Sequence, residues 1–363
     1  MTPRARIASL LAPAERRSLV GMAIVILALH VVGWGVLAGM VAPHSFSLGS
    51  GQVFGIGLGL TAYALGMRHA FDADHIAAID NTSRKLMSDH QRALSVGFWF
   101  SLGHSSIVFL LATLLALGVR ALAGPIAAES SALQDVTHTV GAAVSGTFLY
   151  LIGIVNLVIL IGIVKAFRRM RHEVLSDDAL EAQLGNRGIL TRVLAKAMRT
   201  VRKPWQMYPI GLAFGFGFDT ATEVSLLVLA GGAAAFSLPW YAVLTLPILF
   251  AAGMSLLDTV DGCFMNVAYG WAASTPVRKI FYNLTVTGLS VAVALIIGTI
   301  QLMSLAADRL GVRHGPLAYL ANLDLADVGL VIALAFVGIW VLALAVWRFG
   351  RIEQRWTPTA PVE

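Results

Sequence analysis

Charge is scarce in this chain: Asp, Glu, Lys and Arg make up 13% of its 363 residues, against 57% hydrophobic ones. Together with a mean hydropathy of +0.77, that scarcity excludes an assembly of ordinary soluble domains and leaves a polytopic membrane protein. Cysteine is scarcer still. The single thiol, Cys263, excludes an internal disulfide framework and reads as a small packing residue. No G-x-x-x-x-G-K-[ST] run occurs, so ATP would need a separate subunit, and no H-E-x-x-H run occurs to suggest an intramembrane metalloenzyme. Apolar runs and short connections fill most of the chain, leaving no soluble catalytic domain, so neither enzymatic activity nor a cofactor is expected.

Those runs number eight, at 19–41, 52–81, 94–118, 141–166, 207–231, 238–264, 280–304 and 327–347, each near the 20 residues that a helix needs to cross a bilayer. The expected fold is all-α, one transmembrane domain over 1–363 with eight spans. A basic tail (1–18), a basic loop (167–206) and a C-terminal tail (349–363) are expected on the cytoplasmic side. With the N-terminus inside, only Arg120, Arg309 and Arg313 fall on the opposite side, while Arg84, Lys85 and ten basic residues from Lys165 to Lys203 fall inside. That bias places both termini in the cytoplasm. It also accounts for the net charge of +6 as topology and contact with lipid headgroups, so nucleic acid is not an expected partner. The N-terminal basic stretch leads into a full-length span, which is expected to be retained as an anchor rather than removed as a signal.

Against this apolar background, ionisable residues gather in four spans. The second holds His69, Asp72, Asp74, His75 and Asp80; the third holds His104 in Leu102-Gly103-His104-Ser105-Ser106; the fifth holds Asp219 and Glu223; the sixth holds Asp258 and Asp261. A charge at mid-membrane costs about 2.5–3.5 kcal/mol on insertion scales, so these groups must face one another, water or a cation. Counted at 1.5 Å per residue from the flanking basic residues, His104 and Asp219 lie about 18 and 24 Å deep, and His69 about 22 Å. Structural alternatives stand beside several of them. Asp258 and Asp261 also read as capping or snorkelling groups, Glu223 as a buried hydrogen-bonding group, and Asp80 with Asn81 as the end of the second span.

A helical wheel puts His69, Asp72 and His75 on one side of a straight helix and turns Asp74 away. Either Asp74 faces a neighbouring span, orienting a ligating imidazole, or the helix unwinds between Gly66 and Asp74, as backbone does where it lines a transport site. Imidazole with carboxylate suits nickel, cobalt, zinc or iron(II) better than calcium or magnesium. Met67 and Met254 read chiefly as packing residues.

His69-x-x-x-x-Asp74-His75, within Arg68-His69-Ala70-Phe71-Asp72-Ala73-Asp74-His75-Ile76, resembles the hallmark of the nickel/cobalt transporter family. Leu102-Gly103-His104-Ser105-Ser106, Gly217-Phe218-Asp219-Thr220-Ala221-Thr222-Glu223, and the run from Gly253-Met254-Ser255 through Asp258-Thr259-Val260-Asp261-Gly262 resemble that family's further motifs in the same order. The resemblance covers about residues 50 to 300. It implies a high-affinity secondary permease for nickel(II), and often cobalt(II), in the inner membrane. His69, Asp74 and His75 form its essential signature, and a polar residue of the first span, here His30, is the candidate for metal choice, with an ordinary satisfied histidine as the alternative. The expected metal set is His69, Asp72, Asp74, His75, His104, Asp219, Glu223 and Asp258. The divalent ion is the substrate, with lipid and a cytoplasmic metallochaperone as partners and no ATPase subunit required. Export of the same metals, or passage of another divalent metal, is the competing reading. Phe100-Ser101-Leu102-Gly103-His104-Ser105 echoes Phe250-Ala251-Ala252-Gly253-Met254-Ser255 three spans later, which suggests an inverted repeat of spans 2–4 against 5–7.

Overall fold

The computed structural model describes residues 13–49, 52–89, 91–116, 132–170, 201–215, 238–272 and 283–312, with single residues from 314 to 345. Helix dominates. The described α-helices are α1 (Pro13–Val36), α2 (Ile56–His69), α3 (Ala73–Ser88), α4 (Val96–Ala116), α5 (Ala132–Met170), α6 (Met207–Phe214), α7 (Trp240–Ala272) and α8 (Gly288–Leu310). A short antiparallel hairpin, β1 (Phe46–Gly49) with β2 (Gln52–Phe54), interrupts the expected all-helical order and pairs Phe46 with Phe54 and Ser47 with Val53. It lies in the connection after α1, where Pro43 and a Gly/Ser-rich sequence disfavour helix.

Among the described residues, five helical segments are long and apolar enough to cross a membrane: Pro13–His44, Val96–Leu114, Thr139–Gly162, Trp240–Val267 and Gly288–Leu310. They match the first, third, fourth, sixth and seventh expected spans and make this an α-helical, multi-pass membrane protein. The second expected span is two helices, α2 and α3, separated at Ala70–Asp72. Most of the fifth and eighth lies outside the described residues, although α6 opens the fifth and the described residues from 331 to 345 are helical.

By contacts the chain divides into two compact units, Met1–Ala70 with Leu94–Ser145 and Lys203–Cys263, and Phe71–Ala93 with Gly146–Arg202 and Phe264–Glu363. In the first, Leu37, Phe54, Ala62, Leu246, Phe250 and Met254 are among the fully buried residues of one apolar core. Its helices approach to backbone contact. A Cβ on Gly66 of α2 would strike the Phe250 carbonyl of α7, and one on Gly253 of α7 would strike the Tyr63 carbonyl of α2. The same reciprocity joins α4 and α6, with Gly103 against the Tyr208 carbonyl and Gly211 against that of Phe100. Apolar burial gives little drive between helices in lipid, so close approach through small residues is what holds such pairs.

The second unit contains buried polar contacts. On α3, Arg84 lies 3.5 Å from Asp80 and donates to Thr287 Oγ1 and Ser290 Oγ. Asn156 of α5 donates to the Asn81 carbonyl and to Asn81 Oδ1, at 3.1 and 2.9 Å. Lys85 donates to the Val201 carbonyl and pairs with Asp89 at 3.1 Å. One expectation is corrected here. Asp80 and Asn81 do not end the helix, because α3 runs on to Ser88. Arg84 and Lys85 are buried, 4% and 2% exposed, with neighbouring oxygens replacing water around them.

Candidate metal centre

The first unit brings two of the expected ligands together. His69 is the last residue of α2, and His104 is buried in the middle of α4. Their Nε2 atoms stand 3.1 Å apart, with ring centroids at 4.8 Å and planes inclined at 58°. Phe250 flanks His69 at 5.8 Å and Phe100 flanks His104 at 6.2 Å. Between two neutral imidazoles this contact uses one proton, one Nε2 donating and the other accepting. A divalent ion in place of that proton would be held by both lone pairs. At metal–nitrogen bonds of ~2.1 Å, two adjacent ligands on one ion lie about 3 Å apart, close to the spacing already present.

The position of His104 follows from its neighbours on α4. Gly103 lets α6 approach to backbone contact, and Ser106 Oγ meets Tyr208 Oη at 2.8 Å from the same face of α6. The site's background is therefore set by close-packed backbone rather than by long side chains.

Beyond the break, Asp72 takes the N-cap position of α3 in extended conformation (φ −62°, ψ 140°), a place where aspartate is favoured, although its side chain makes no capping bond. Asp74 and His75 lie in the first turn. Asp74 Oδ1 accepts the His75 backbone N–H at 2.9 Å, and its Oδ2 accepts from Gln301 Nε2 of α8 at 3.0 Å. The helix is broken, and Asp74 also turns to a neighbouring helix. The His75 side chain is 1% exposed.

His30 of α1 donates from Nδ1 to the Ile26 carbonyl at 2.8 Å, which leaves Nε2 of the neutral ring to accept from Tyr63 Oη at 3.1 Å. Asp258 is buried well inside α7, which continues to Ala272. The capping and snorkelling alternatives for Asp258 therefore do not apply. Met254 belongs to the apolar core, and Cys263 packs with its thiol 3.9 Å from the Leu94 carbonyl. Asp219 and Glu223 lie outside the described residues. Sequence reasoning passed over Asn156 and Gln301. Each is a lone amide in an apolar run, and isolated polarity at membrane depth was the available signal.

Comparison with known proteins agrees with the motifs. The sequence profile of the high-affinity nickel-transport protein family matches residues 55–346. The chain is 58% identical over 334 residues to the nickel transporter NicT of Mycobacterium tuberculosis, covering 92% of this chain and 90% of that protein. It is 41% identical to the nickel transporter NixA of Staphylococcus aureus, over 94% and 98% of the two chains. It is 38% identical to the cobalt transport protein NhlF of Rhodococcus rhodochrous, over 91% and 92%. No solved structure matches. These relatives are transporters rather than enzymes, and with a family profile spanning most of its length the chain belongs to the high-affinity nickel-transport protein family.

Proposed function

We propose that this protein imports nickel(II), with cobalt(II) as a second cargo, across the cytoplasmic membrane as a secondary transporter with eight spans and both termini in the cytoplasm. The observation that carries the reading is the His69–His104 pair, two imidazole nitrogens 3.1 Å apart. His75 supplies a third imidazole, and the carboxylates of Asp72, Asp219, Glu223 and Asp258 complete or gate the site as the ion passes. Asp74 acts by holding the start of α3. His30 bonds to Tyr63 in the helix that ends at His69, and through it influences the choice between metals. Relatives named for nickel and for cobalt support both cargoes.

Alternating access is supported by an internal correspondence. Tyr63-x-x-Gly66 recurs as Tyr208-x-x-Gly211, and Phe100-x-x-Gly103 as Phe250-x-x-Gly253. The corresponding glycines make corresponding contacts: Gly66 meets the Phe250 carbonyl as Gly211 meets that of Phe100, and Gly253 meets Tyr63 as Gly103 meets Tyr208. Exchange of the two halves carries the α2–α7 contact onto the α6–α4 contact, the relation expected of spans 2–4 repeated inverted as 5–7. Proton coupling is not required for uptake, since an inward-moving divalent ion gains about 4.6 kcal/mol per 100 mV.

Radioactive nickel and cobalt uptake at nanomolar metal, in cells expressing the protein, tests the reading beside His69→Ala, His104→Ala and empty-vector controls. Accumulation above the vector that is lost in both variants is the expected result. Metal content driven below the vector by the wild type alone would reverse the direction to export, and no response to either metal despite verified membrane insertion would overturn the cargo.

A further inference from the structure

Gln301 has no part in the transport scheme so far. It stands in α8 between Ile300 and Leu302, is 8% exposed, and carries an amide whose burial is unfavourable unless it is hydrogen-bonded. Its Nε2 donates to Asp74 Oδ2 at 3.0 Å, while Asp74 Oδ1 accepts the His75 backbone N–H at 2.9 Å. The bond to His75 fixes one carboxylate oxygen. The bond from Gln301 fixes the other, and with it the plane of the carboxylate and the N–H direction that the plane dictates. One continuous line of contacts therefore runs from the interior of α8 to the backbone of His75, in the turn where the chain has just restarted as a helix.

We propose that Gln301 is a positioning residue of the transport site: through Asp74 it fixes the first turn of α3 and so the direction of the His75 imidazole. The proposal rests on His75 being a metal ligand. Partners that orient a ligand in this way contribute 10- to 100-fold in metal affinity or activity. A neutral amide suits the task, because it donates to the carboxylate without adding a cation beside a cation pathway.

The test uses the full chain. Gln301→Met keeps the length and volume of the side chain and removes the donor. In nickel uptake it is expected to raise KM about 10-fold or more, with Vmax per inserted transporter changed by less than about twofold, the signature of lost binding rather than lost turnover. Hydrogen exchange on purified, metal-free protein is expected to show faster exchange over residues 73–77. Gln301→Glu sets carboxylate against carboxylate and loses the same protection. Gln301→Glu combined with Asp74→Asn restores the pairing with its polarity reversed, and protection returns. Unchanged KM and exchange in Gln301→Met would make the residue a packing group and overturn the proposal, as would a fall in Vmax with KM unmoved. Should the wild type transport neither metal, the cargo reading falls, and the exchange comparison with its paired rescue still decides for or against Gln301.

Discussion

Replacing Asp80 with alanine takes the counter-charge from a guanidinium that has almost no access to water. Asp80 and Arg84 are 0% and 4% exposed, one helical turn apart on α3 and 3.5 Å from each other. Thr287 and Ser290 still accept from Arg84 after the change, but hydroxyl dipoles solvate a cation without neutralising it. Removing one partner of a buried pair costs about 3–5 kcal/mol, which lowers the ratio of folded to unfolded protein by two to nearly four decades. Replacing both, as Asp80→Ala with Arg84→Met, removes the stranded charge and is expected to recover most of the loss. Equilibrium denaturation in mixed micelles reads the difference, with the yield of inserted protein as a second measure. A cost below about 1 kcal/mol for the single change, the worth of an exposed pair, would refute the reasoning, and so would a double variant less stable than the single one.

Two further outcomes follow from the same contacts. Gly211→Val drives a side chain into the Phe100 carbonyl, whereas Gly21→Val has open space around it; the first is expected to cost about 1–3 kcal/mol through overpacking and to lower nickel uptake by displacing α4, while the second leaves micelle stability and uptake unchanged. Asn156→Leu removes both bonds to Asn81 and is expected to cost about 1 kcal/mol by denaturation, in keeping with the modest worth of such bonds in lipid; a loss above about 3 kcal/mol would mean that the amide supports far more than Asn81.

The sequence made the site's chemistry easier to read than its architecture. Four polar clusters in apolar runs singled out His69 and His104, whose rings meet in the structure, because ionisable groups at membrane depth have few explanations. The break at Ala70–Asp72 was readable only as one of two options: hydropathy averages over a window longer than the three residues that separate α2 from α3. The burial of Arg84 and Lys85 was hidden for a related reason. Counting basic residues assigns a side of the membrane and not a degree of burial, and the oxygens of Thr287, Ser290 and Val201 that receive these two come from positions distant in sequence. Gln301 was hidden similarly, since nothing local to an amide in α8 points to a carboxylate 227 residues earlier.

The break between α2 and α3 also has an electrical consequence. A helix end carries about half an elementary charge, negative where the carbonyls emerge and positive where the N–H groups do. A continuous helix would keep both far apart at the membrane surfaces, but here the negative end of α2, at His69, is followed within a few residues by the positive end of α3. An end of the first kind attracts a divalent cation and one of the second kind repels it. Asp72 and Asp74, at the N-cap and in the first turn, outweigh that half charge when ionised, so the restart of the helix becomes an electronegative place in the bilayer. Without them, a chain broken at this point would set a cationic barrier beside its own imidazoles.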